Sequence, residues 1–162
     1  MGFAEFRRHR MRAYYVPFLA GAALAVSAFL PWVMHGGVGF GGFPSASGFW
    51  IVGLGLAAML LAGLSVATRK NSRHPLLLVG LVALAIEFLA WQWMERSVME
   101  QAWASAQAAA IVAGGEAATV GQTSIGAGLY LGFGAAIIIV MFGLTIVVKQ
   151  AGRPYAQPED DV

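Results

Sequence analysis

Apolar and polar residues follow one another along this chain in long blocks, not in twos or at helical spacing. Four apolar blocks stand out: Tyr14–Met34, Phe49–Thr68, Pro75–Met94 and Ile125–Val148. Each is about 20 residues or more, and at ~1.5 Å rise per residue a helix of that length spans a bilayer core of ~30 Å. Within them Glu87 is the sole Asp, Glu, Lys or Arg. The blocks are apolar all round, as lipid-immersed helices are, and they lack the two-residue alternation of barrel strands. The pattern predicts an all-α fold. It is a four-transmembrane-helix bundle in one membrane domain over 1–152, with spans at 14–34, 49–68, 75–94 and 125–148.

The connections refine this picture. Residues 35–48 read HGGVGFGGFPSASG, without an acidic, Lys or Arg side chain, and are expected to fold back on the bundle or lie among headgroups. The 69–74 link is tight, making spans 2 and 3 an antiparallel hairpin, with Asn71 or Ser72 as a cap and Pro75 in the next first turn. Residues 95–112 are alanine-rich, place Arg96 and Glu100 at i,i+4, and align Met99, Trp103, Ala106 and Ala110. They predict an extra amphipathic helix in the second outer loop, extending span 3 or lying flat, and ending at Gly114-Gly115. Thr123 or Ser124 is positioned to cap span 4. The stretch 153–162 reads as a tail.

Charge sets the expected orientation. Arg7, Arg8, Arg10 and Arg12 precede span 1, Arg69, Lys70 and Arg73 lie between spans 2 and 3, and Lys149 and Arg153 follow span 4. Only Arg96 falls on the other side, so the positive-inside rule puts both termini in the cytoplasm. The net charge of +2 therefore concerns anionic headgroups and not nucleic acid. Span 1 continues beyond the length of a signal-peptide core, so it is read as retained. With no cysteine in the chain, thiol–disulfide chemistry, thiolate metal sites and c-type haem attachment are excluded.

Candidate chemistry centres on Glu87. A carboxylate inside a span is expensive when ionised and usually faces the bundle. Gly80, Ala83, Glu87 and Ala90 share one small-residue face, with Ser27 and Tyr130 as candidate hydrogen-bond partners for the acid. Two readings stay open: a protonated acid in an interhelical hydrogen bond, or a proton or cation site. Gly21, Gly53, Gly55, Gly80, Gly128 and Gly132 are expected at close helix contacts. Trp32, Trp50, Trp91, Trp93 and Trp103 fall at or beyond the outer interface, as anchors or as a docking surface for protein, lipid or a quinone-like ring. The three histidines are scattered, so no metal site is expected, and no cofactor is evident beyond a bound lipid, quinone or pigment contact.

Phe29-Leu30-Pro31-Trp32-Val33 closing span 1, the glycine/serine loop leading to Gly48-Phe49-Trp50, and Gly126-Ala127-Gly128-Leu129-Tyr130-Leu131 opening span 4 form a set. With these motifs the chain resembles a widespread group of small four-span bacterial membrane proteins. The resemblance covers the spans but not 95–124, and it implies a fold and a bacterial inner-membrane location without an activity. The expectation is a non-enzymatic accessory or structural subunit of a larger membrane complex, respiratory or photosynthetic complexes included, partnered by lipids and other subunits. The rival is a small oligomeric proton-coupled transporter or channel working through Glu87.

Overall fold

The computed structural model describes residues 13–68, 72–116 and 119–151, with side chains described as far as residue 145. The arginines before span 1, the Arg69–Asn71 link and the 153–162 tail lie outside the described residues. The chain is mostly helical: α1 (Tyr15–Ser27), α2 (Ala46–Thr68), α3 (Arg73–Ala113) and α4 (Ala127–Ala151). Strands β1 (Pro31–His35), β2 (Val38–Gly41) and β3 (Ser124–Ile125) form a small sheet in the order β2-β1-β3. Three helices, α2, α3 and α4, are long and apolar enough to cross a membrane.

The first apolar run is not a single helix. It is α1, 13 residues and about 20 Å long, followed by strand β1. The helix tightens through i−3 bonds from Phe29 N to Val26 O (3.0 Å) and from Leu30 N to Ser27 O (3.2 Å). Pro31 then forbids continuation, since its ring disfavours a helical residue before it and it carries no N–H. Beyond it the chain doubles back as an antiparallel hairpin pairing His35 with Val38 and Val33 with Phe40, and β1 also pairs Val33 with Ile125. Gly36 and Gly37 make the turn at φ of 56° and 81°, a backbone region that glycine enters without steric cost.

The helices run alternately up and down, and α1 packs on α2 and α4 while α3 packs on α4 and α2. At one end Tyr14 meets Phe142 edge to face at 5.0 Å, and the Arg73 guanidinium lies over the same ring at 5.3 Å. At the other end α1 stops early and the sheet completes the height, with Trp32 and Val33 buried. This non-helical backbone is covered by protein, and its polar groups find partners across the junction. Phe43 N donates to Ala28 O (2.8 Å) and Gly126 N donates to Trp32 O (2.8 Å).

The helix expected over 95–112 is the continuation of α3, whose 41 residues give about 60 Å. It ends where Gly114 takes φ 66° and its N–H returns to Ala110 O. Two expected caps are absent. Ser72 makes no cap bond but lies 2.6 Å from Ser65 Oγ, and Ser124 is in β3, ahead of α4. Thr123 Oγ1 instead donates to Glu95 Oε1 (3.0 Å), tying the return segment to α3.

Candidate functional site

One face of α3 buries Leu76, Gly80, Ala83, Glu87, Ala90 and Val98. Small side chains let α4 come close: a Cβ on Gly80 would stand 2.7 Å from Val140 Cγ2, and one on Gly143 would stand 2.6 Å from Leu77 Cβ. Opposite Glu87, α4 presents Gly132. A Cβ there would overlap the Glu87 carboxyl oxygen and stand 2.9 Å from Ser27 Oγ. Glu87, Ser27 and Gly132 therefore meet where α1, α3 and α4 converge.

Trp32 roofs this junction. It is fully buried, its Nε1 donates to Ser27 O (2.9 Å), and a Cβ on Gly128 would stand 2.8 Å from its Cδ1. The indole N–H thus adds a second donor to the Ser27 carbonyl at the end of α1, which also accepts from Leu30 N. Ser27 Oγ donates to Leu24 O (2.7 Å) within its own helix. Both Glu87 oxygens are buried and, among the described residues, have no hydrogen-bond partner. The junction offers the carboxyl a space without a donor aimed at it.

Several expected site residues lie elsewhere. Tyr130 is 67% exposed, two positions from Gly128 and on the opposite face of α4, so it is no partner for Glu87. Gly53 has nothing within 4 Å of its Cβ position, whereas Gly55 and Gly21 sit against each other across the α1–α2 seam. Trp32 is a core residue and not an interface anchor. Trp91 is half-buried and meets Phe88 edge to face at 6.0 Å. Trp50, Trp93 and Trp103 are exposed.

Trp50 and Trp93 line a groove of about 740 Å³ between the start of α2 and the middle of α3. Its walls include Ile86 and Leu89, and its far end is polar, with Ser47, Arg96 and Glu100. The expected Arg96–Glu100 pair is not an ion pair in the structure. A second cavity of about 530 Å³ lies among the hairpin, α3 and residues 119–121. His35 and Gln101 line it, and among the described residues the buried His35 Nδ1 has no hydrogen-bond partner. Among the described residues no group of three or more His, Cys, Asp or Glu side chains is placed to hold a metal.

Comparison with protein-family models, curated proteins and solved structures gives no match.

Proposed function

We propose that this chain is a non-catalytic integral membrane protein that serves as an accessory subunit of a larger membrane assembly. In this reading it sits in a bacterial inner membrane with both termini in the cytoplasm, as the basic residues suggest. The observation that carries the role is the projecting end of α3. Beyond Val98 the helix continues for four turns with Trp103, Ile111 and Val112 exposed at 61%, 80% and 90%. Large apolar side chains on a helix leaving its own bundle suit burial against another protein.

The test is solubilisation of native membranes in mild detergent, then size separation and mass spectrometry. Co-migration with a defined complex at fixed stoichiometry, lost on Trp103→Ala with Ile111→Lys, is the expected result. A lone monomer or a homo-oligomer overturns the reading.

A second reading rests on its own observation, the buried and unpartnered carboxyl of Glu87. In it the protein is a small proton-coupled transporter or channel, with Glu87 taking up and releasing a proton beneath the Trp32 roof. Reconstitution in vesicles decides this. Proton flux that Glu87→Gln abolishes while assembly persists supports it, and flux unaffected by the substitution refutes it.

A further inference from the structure

We propose that the groove between α2 and α3 is a binding site for one ethanolamine phospholipid, with the phosphate at Arg96 and the ammonium at Glu100. The proposal rests on α2 and α3 crossing a membrane, and not on any partner of the α3 projection.

The dimensions fit. From Ile86 to Arg96 the groove follows α3 for ten residues, about 15 Å. That is one leaflet of a ~30 Å hydrocarbon core. Leu89, Trp50 and Trp93 supply the apolar wall, and Trp93 is 74% exposed. Tryptophan is favoured where hydrocarbon gives way to headgroups, and here it marks the passage from apolar wall to polar end.

The charges select the headgroup. Arg96 and Glu100 stand one helical turn apart, and both line the polar end of the groove. Arginine preceding glutamate is the weaker order for an i,i+4 pair, and no ion pair joins them. A cation and an anion left open side by side complement a zwitterion. Guanidinium N–H groups fit phosphate oxygens in a bidentate manner. The carboxylate of Glu100 suits an ammonium that still has N–H donors, as ethanolamine does and choline does not. An anionic headgroup would place negative charge against Glu100.

Native mass spectrometry on the full chain tests the site. The protein is stripped of lipid in detergent and offered equal amounts of chain-matched phosphatidylethanolamine, phosphatidylcholine and phosphatidylglycerol. One retained phosphatidylethanolamine per chain, favoured about fivefold or more, is expected if charge-assisted hydrogen bonds hold it. Glu100→Gln should erase the preference over phosphatidylcholine, while Arg96→Gln weakens retention of both and Arg96→Lys restores much of it. Both residues are exposed, so helicity by circular dichroism should not change. Preference for phosphatidylglycerol, equal retention of all three lipids, or variants that behave like the parent would overturn the proposal.

Discussion

The α1–α2 seam offers a controlled comparison within one helix: Gly55→Ala against Gly53→Ala. A Cβ on Gly55 would stand 2.6 Å from Gly21 O, 2.7 Å from Ala25 N and 2.9 Å from Ala25 Cβ. Carbon contacts become favourable only near 3.5–4.0 Å, so α1 and α2 must separate by about 1 Å. The atoms in the way are backbone or directly attached to it, so no rotamer change relieves them. Overpacking of this kind costs about 1–3 kcal/mol, and the separation also loosens Leu24, Ala58 and Ala62 along the seam. Gly53 has open space at its Cβ, leaving only the helix-propensity gain of alanine, up to about 1 kcal/mol in water. The two variants should therefore differ by about 1–4 kcal/mol. Equilibrium unfolding in mixed micelles, with a denaturing detergent as titrant and helicity as the signal, measures the difference. Equal stabilities would refute the seam, and a weaker Gly53→Ala would mean that α2 presents its opposite face to α1.

Trp32→Phe removes the indole N–H from Ser27 O, which keeps its bond from Leu30 N, so the loss of this one hydrogen bond should cost about 0.5–1.5 kcal/mol in the same unfolding assay. No loss would show that the bond is dispensable. Tyr130→Phe should lie within about 0.5 kcal/mol of the parent, because the side chain faces away from the bundle; a large loss would place the hydroxyl in the core. Gly143→Val sets branched carbons against Leu77 of α3 and should reduce stability by about 1–3 kcal/mol, whereas Gly134→Ala, with open space around it, should not. Glu87→Gln keeps the side-chain volume, so thermal stability and co-migration with any host complex should persist, and a loss of assembly would make the ionisable group itself structural.

Much of the helical frame was legible because long runs apolar all round leave a helix as the simplest way to pair their backbone. The runs that became α2, α3 and α4 are apolar all round, and the Gly80–Ala83–Glu87–Ala90 face is the one that α3 buries against the bundle. The first run misled because burial asks for the same composition from a helix and from a covered strand, so apolarity alone does not separate Tyr15–Ser27 from Pro31–His35. The separating signal was local: Pro31, then Trp32 and Val33, then Gly36-Gly37 before another short apolar stretch, which is the grammar of a two-residue hairpin. Trp32 escaped the interfacial-belt rule because that rule assumes the indole N–H needs water or headgroups, while the end of α1 supplied it with a carbonyl.

Phase along the helix separates the remaining site residues. Gly55 shares the buried stripe of Ile51, Ala58, Ala62 and Ser65, and Gly53 lies two positions off it. Tyr130 is likewise two positions from Gly128, a rotation of about 200° that carries it to the far face. Spacing alone could have sorted both pairs once one contact was known, but it does not reveal which helix lies opposite. That missing fact decides the meaning of Glu87. Facing lipid it would be costly, and facing a donor it would be a hydrogen bond. Facing Gly132 and a Ser27 hydroxyl already bonded to Leu24, it has room and no partner. If volume were the requirement, leucine or methionine would fill the junction without the desolvation cost of a carboxyl. Proton exchange is what the transporter reading asks of this acid and the accessory-subunit reading does not, which makes proton flux, more than stability, the measurement that separates the two.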